Sequence, residues 1–300
     1  MTAATGTETR PQPPARRSTR KPRRSRPATR RRLYGVLAIV LAVMWAFPVY
    51  WMVNSSFLPG NKIRSPEPTF FPLGGTLANF GRVFENGDFL ASLRISATVT
   101  LLTVAATLLV AFLAALAVSR FRFTGRKGFI LIILFVQMIP AEGLFISQFK
   151  MLDGWNLLNS VFGLTLLYVA AVVPFTIWLL RGFVNGIPVE LEEAAMVDGC
   201  SRMQAFFRVT FPLLAPGLVA SGIFAFMQAW NEFTLALVIM TRPENQPLTV
   251  WLKSFTEANR ATDWGGIMAG STLLAIPVVI FFLVIQHRMT SGLVSGAVKG

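Results

Sequence analysis

Between positions 33 and 53 the chain reads LYGVLAIVLAVMWAFPVYWMV, twenty-one residues without a charge. That length matches the ~20 apolar residues a helix needs to cross a hydrocarbon layer of about 30 Å. Five more apolar runs follow, at 95–118, 128–149, 155–180, 213–240 and 264–286. The third run is interrupted by Pro140 and carries Glu142. Backbone groups facing lipid must be satisfied within a closed structure, and these runs are too long and too evenly apolar for alternating barrel strands. The expectation is an all-α membrane protein with six transmembrane helices. Composition supports this: of 300 residues, 53% are hydrophobic and 14% charged, with a mean hydropathy of +0.56. A soluble domain is more evenly mixed.

Charge is unevenly placed. The formal net charge is +14, and the first 32 residues hold eleven of the Lys and Arg residues against one acid. Such a segment buries too little apolar surface to fold and reads as a disordered basic tail, residues 1–32, ahead of a membrane domain at 33–300. Nucleic-acid binding is one use of such a tail. A topogenic tail lying against anionic membrane lipids is preferred, because a span starts at Leu33. With the N-terminus inside, alternate segments carry 20 basic residues on the cytoplasmic side and 8 outside, so both termini are expected in the cytoplasm. The first run exceeds the ~7–15 residues of a signal-peptide core and no A-x-A site follows it, so it reads as an anchor.

Catalytic motifs are missing. The chain contains no G-x-x-x-x-G-K-[ST], H-E-x-x-H or G-x-S-x-G, and it has one cysteine, Cys200, and one histidine, His287. Cys200 reads as a small packing residue, and no metal site is expected. Energy for uphill transport must then come from an ion gradient or from a separate ATPase.

The segment 182–212 is polar by the standards of this chain and falls between the fourth and fifth spans, on the expected cytoplasmic side. Pro188 suits a helix's first turn, and Glu190, Glu192 and Glu193 sit where the helix dipole favours negative charge. Leu191, Ala194, Ala195 and Asp198 share one face by three-and-four spacing. Gly199 can take a positive φ and stop the helix. A second short helix is expected over 201–209, with Pro212 opening the fifth span. The result is a helix–turn–helix elbow on the membrane surface.

Glu193-Ala194-Ala195, then Gly199, then Val209-Thr210-Phe211-Pro212 resembles the E-A-A-x3-G-x9-I-x-L-P loop of binding-protein-dependent ABC importer permeases. Val209 and Phe211 stand where that loop usually has Ile and Leu, and Asp198 before Gly199 is also typical of it. Trp230-Asn231-Glu232-Phe233 and the ending SGLVSGAVKG resemble the carbohydrate-uptake branch, in particular the smaller, six-span permease of maltose-type transporters. The resemblance covers about residues 33–300.

The resemblance implies a type I ABC importer permease fold in a bacterial plasma membrane, and a transport subunit that is itself no enzyme. It implies a second, dissimilar permease, two cytoplasmic ATPase subunits that bind the ATP, and an extracytoplasmic sugar-binding protein. It also assigns Glu193, Ala194, Ala195, Asp198, Gly199, Val209 and Pro212 to ATPase coupling, with residues 291–300 as a second contact. A translocation pathway needs polar groups at membrane depth, and the candidates are Gln137, Glu142, Gln228, Asn231 and Glu232. Each of these also fits interhelical bonding, and Trp230 also fits an interfacial aromatic. The alternatives are an importer of the same superfamily for a non-sugar solute such as a peptide, or a secondary transporter. For the latter, inverted repeats and buried ionisable pairs are the discriminating features.

Overall fold

A computed structural model describes residues 28–85, 88–256 and 262–296, with side chains from Leu33 to Gln286. Among the described residues every regular element is helical. Helix α1 runs Ala28–Ser56 and contains Pro48. Residues 28–32, expected to be part of a disordered tail, are the first turns of this helix; the rest of that tail lies outside the described residues. Contacts divide the chain into two units, Met1–Pro48 and Val49–Gly300. The first unit carries α1 as far as Pro48, and the second carries its last turns and the helices that follow.

Helix α2 (Ala78–Glu85) closes the end of α1. Its buried Asn79 donates from Nδ2 to Ser56 O at 2.7 Å and Leu58 O at 2.9 Å, satisfying carbonyls that a helix end leaves open. Helix α3 (Phe89–Arg120) is a single run of 32 residues, about 48 Å long at 1.5 Å per residue. Its buried face is a stripe of small and hydroxyl side chains, Ser92, Ser96, Thr103, Thr107, Ala111 and Ala115, at helical spacing. Small residues let a neighbouring backbone approach closely where lipid offers no hydrophobic drive for association. Leu101, Leu109 and Leu113 point the other way and are exposed, as a lipid-facing side requires.

The third expected span is two helices, α4 (Arg126–Val136) and α5 (Phe145–Gly154), meeting at 92° across a break that includes Pro140. Eleven residues rise only about 16 Å, too little to cross alone. Among the described residues five helices have the length and hydropathy of a span, and this bent pair makes six when taken as one.

Helix α6 is Val161–Asn185, capped by Ser160 Oγ, which accepts from Gly163 N at 2.9 Å. The expected start at Trp155 is too early. Asn156 and Asn159 adopt φ of 58° and 56°, a left-handed conformation that asparagine tolerates and a helix interior excludes. The elbow follows with α7 (Glu190–Val197), then α8 (Phe211–Trp230), α9 (Thr234–Ile239) and α10 (Trp264–Gly296). The expected fifth span, 213–240, is therefore broken at Asn231–Phe233.

Helix α3 organises the packing along its length. Near its start, Phe89 meets Val83, Leu248, Trp251, Phe255 and Ala269. Further along, Val99 packs with Leu164, Leu167, Tyr168, Ala236 and Ile239. Towards its end, Ala111 and Ala115 pack with Ile177, Leu180, Val184, Ile187 and Leu214. The elbow sits at this last end, and the start of α10 at the first.

Candidate functional site

The elbow begins where α6 stops. Gly186 donates its N–H back to Gly182 O and Phe183 O, and Ile187 turns inward, 8% exposed, into the cluster around Leu180 and Leu214. The chain re-enters helix through Pro188 and Val189, whose carbonyl accepts from Glu192 N at 2.9 Å and Glu193 N at 3.1 Å. The three glutamates of the first turn suit the positive end of α7.

Helix α7 ends in a fully formed Schellman motif. Gly199 has φ +93°, its N–H reaches Met196 O at 3.1 Å, and Cys200 N–H reaches Ala195 O at 3.0 Å. The positive φ is what this position demands, since a Cβ there meets nothing within 4 Å. Ser201 starts the return limb with a capping box. Its Oγ accepts from Gln204 N, and its own N–H donates to Gln204 Oε1 at 2.9 Å.

The return limb departs from expectation. Pro212 does not open a new helix, because the chain is helical without interruption from Arg202 to Trp230. One wide π turn, Phe206–Thr210, precedes the proline, with Phe211 N–H reaching back to Phe206 O. Pro212 has no N–H to give, and the widened turn accommodates that loss within the helix. Phe206 and Phe211 pack on Phe112 of α3, with centroids 6.2 and 6.0 Å away, and Arg202 lies 5.6 Å above the Phe121 ring.

Sequence reasoning missed Glu192. Its Oε1 lies 3.1 Å from Arg120 Nη2 and accepts from Thr210 Oγ1 at 2.7 Å. The same Arg120 nitrogen donates to Ile187 O at 3.1 Å. With side chains 13% and 16% exposed, the ion pair is sheltered, and Thr210 is fully buried. One clasp thus joins the last residue of α3, the lead into α7 and the π turn before α8. Three adjacent glutamates gave no clue to which one turned inward; the only hint was an arginine closing an apolar span.

Among the expected coupling residues, Glu193, Ala194, Asp198, Gly199 and Pro212 are exposed, while Ala195 and Val209 are half-buried. Around Glu193 the elbow also exposes Val189, Leu191, Met196, Val197, Met203 and Phe207. Val197 is 87% exposed. Exposed apolar residues rimmed by charge fit a contact with another protein or with the membrane surface.

The polar candidates of the expected pathway behave differently. Gln137 and Glu142 lie exposed at the α4–α5 break, Gln228 is exposed on α8, and Asn231 turns back to Met227 O at 2.8 Å. Glu232 is half-buried and committed to structure. It accepts from Leu235 N at 2.6 Å, Ala236 N at 3.0 Å and Tyr168 Oη at 2.7 Å, capping α9. Among the described residues no hydrogen bond joins Gln137 or Glu142 to this group. Trp230 is 4% exposed, stacks on Phe226 and donates to Leu274 O, so it is a core residue and not an interfacial one. Trp230 and Glu232 line a cavity of about 10 Å³ with Ser96, Thr100, Tyr168 and Thr249, enough for one water and far too small for a sugar. Among the described residues no group of His, Cys, Asp and Glu could hold a metal.

Residues 106–293 match the family described as "Binding-protein-dependent transport system inner membrane component". The chain belongs to this family. It is 44% identical over 265 residues to the diacetylchitobiose uptake system permease protein of Streptomyces coelicolor, covering 88% of this chain and 96% of that protein. It is 34% identical over 270 residues to the trehalose/maltose transport system permease protein of Thermococcus litoralis, covering 88% and 95%. Its fold matches a chain of a bacterial ABC transporter involved in the import of the acidic polysaccharide alginate, with a TM-score of 0.72 and 26% identity over 85% of this chain and 96% of that one. The permease is therefore a multi-pass membrane subunit of an ABC importer, and not itself an enzyme.

Proposed function

We propose that this permease is one of two dissimilar membrane subunits of an ATP-driven importer of di- or oligosaccharides. Its elbow receives the movement of a cytoplasmic ATPase. Both termini and the elbow lie in the cytoplasm, two ATPase subunits bind the ATP, and an extracytoplasmic binding protein delivers the sugar. The observation that carries the coupling role is a division of labour among adjacent glutamates. Glu192 is locked to the permease's own α3 by Arg120, while Glu193 faces outward with no hydrogen bond or ion pair among the described residues, beside exposed Val189, Leu191, Met196 and Val197. A docked ATPase covers these residues, and Gly199 sets the angle between the two limbs. The carbohydrate reading is supported by relatives whose transported solutes are sugars. Of the five polar pathway candidates, Gln137, Glu142, Gln228 and Asn231 are exposed and Glu232 caps α9, so a pathway through this subunit would draw on the first four.

The test is uptake of a radiolabelled disaccharide and of a dipeptide by cells expressing the full transporter. Glu193→Lys and Gly199→Pro are expected to abolish sugar uptake with membrane levels of the permease unchanged. Normal uptake in either variant refutes the coupling assignment, and uptake of the peptide in place of the sugar refutes the substrate class.

A further inference from the structure

At the end of the bundle opposite the elbow, the last turns of α1, the segment 62–69 and the first turns of α10 line an open pocket of about 560 Å³. Its size lies in the range of built ligand sites. Trp51 and Trp264 line it with aromatic rings, Leu58 and Met268 with apolar surface, and Lys62 and Arg64 with charge. Both tryptophans stand at the ends of membrane spans, 33–56 and 264–286, the level at which amphipathic rings meet lipid headgroups.

Among the described residues neither cation is paired with an acid. Lys62 Nζ donates to Leu73 O at 3.1 Å, and Arg64 Nη2 donates to Thr262 O at 2.6 Å. Among the described residues the only ion pairs are Arg82 with Asp263 and Arg120 with Glu192. These carbonyl contacts fix the heads of Lys62 and Arg64 beside the pocket and leave other donors on each unused. Two positioned cations beside an apolar and aromatic lining, at headgroup depth, match a phosphate attached to acyl chains. We infer that this pocket binds the headgroup of an anionic phospholipid. A free phosphate would share the charge contact but draw nothing from the apolar part of the lining.

Native mass spectrometry of the purified transporter, supplied with phosphatidylglycerol or phosphatidylcholine, tests this. The intact assembly is expected to retain phosphatidylglycerol selectively, and Lys62→Ala with Arg64→Ala to weaken that retention about thirtyfold, since each surface cation contributes about a fivefold factor. The charge-keeping pair Lys62→Arg with Arg64→Lys separates loss of charge from loss of folding and is expected to restore retention. Equal retention in the alanine pair, or equal retention of the two lipids, overturns the inference. Displacement of the lipid by millimolar inorganic phosphate points to a free-anion site and overturns it also. So does a result in which the alanine pair keeps its lipid but loses the extracytoplasmic binding protein, which would make the pocket a protein contact. None of these outcomes depends on the transported solute.

Discussion

Replacing Arg120 by alanine tests whether the clasp at the end of α3 holds the elbow in place. One guanidinium nitrogen makes both contacts, 3.1 Å to Glu192 Oε1 and 3.1 Å to Ile187 O. Without it, the Glu192 carboxylate keeps only the Thr210 hydroxyl within a site that water barely reaches. Breaking a buried pair by removing one partner costs about 3–5 kcal/mol, and the residual exposure of Glu192 places this case near the lower figure. The loss falls on local opening of the elbow, because the helices beneath it keep their own packing around Leu180 and Ala115. At 1.36 kcal/mol per tenfold, ~3 kcal/mol corresponds to roughly a hundredfold faster opening. Amide hydrogen exchange in detergent-solubilised transporter is the assay. Amides at 187–200 are expected to exchange about a hundredfold faster, while those in the middle of α3 and α6 change little. Adding Glu192→Ala removes the stranded charge and is expected to recover part of the loss. Acceleration below about threefold at the elbow, or equal acceleration throughout α3 and α6, refutes the reasoning.

Two glycines predict contrasting costs for one added methyl. A Cβ at Gly163 would stand 2.3 Å from the backbone oxygen of Leu157, whereas at Gly270 it would stand 2.7 Å from Cδ1 of Leu252, the far end of a half-buried side chain that can swing aside. Thermal unfolding should therefore show Gly163→Ala as the more damaging, by about 1–3 kcal/mol over Gly270→Ala, and the reverse order would contradict the packing described. A pH dependence follows from Asp263. Burial pushes its carboxyl up, but the hydrogen bond and charge of Arg82 and the Gly265 and Gly266 amides outweigh this and hold it below its ordinary value of 3.8. A depressed folded value means the stabilisation is present above 3.8 and fades as pH falls through the folded value. Acid unfolding should thus lose this component in Asp263→Asn, with an unchanged acid limb counting against the pair.

The membrane spans were legible because lipid leaves the sequence so little choice: any long uncharged run must be a helix. The same uniformity hid where helices end. In 155–160, WNLLNS, the absence of charge hides a boundary that its two asparagines, left-handed here, and the capping Ser160 mark. The interruption at Asn231–Phe233 was equally masked, since Glu232 reads as a pathway carboxylate until its three donors show it to be a cap. In the elbow, local signals were strong, and Gly199 and the first turn of α7 follow from them. The clasp did not, because it joins residues separated by 72 positions, Arg120 and Glu192, through a fold that no local pattern encodes.

The unbroken passage from Arg202 to Trp230 has a mechanical consequence. Twenty-nine residues of continuous helix form a lever about 43 Å long, with its short arm at the elbow and its far tip at the Trp230–Phe226 stack. A tilt of only about 10° imposed at the elbow would sweep that tip through roughly 7 Å, on the scale of a full helical turn. A hinge at Pro212 would have absorbed such a stroke beside its source. With the proline folded into a π turn the backbone stays helical through the junction and past Pro216, and under the coupling proposed above a push at the elbow is handed along the helix with no break in its path.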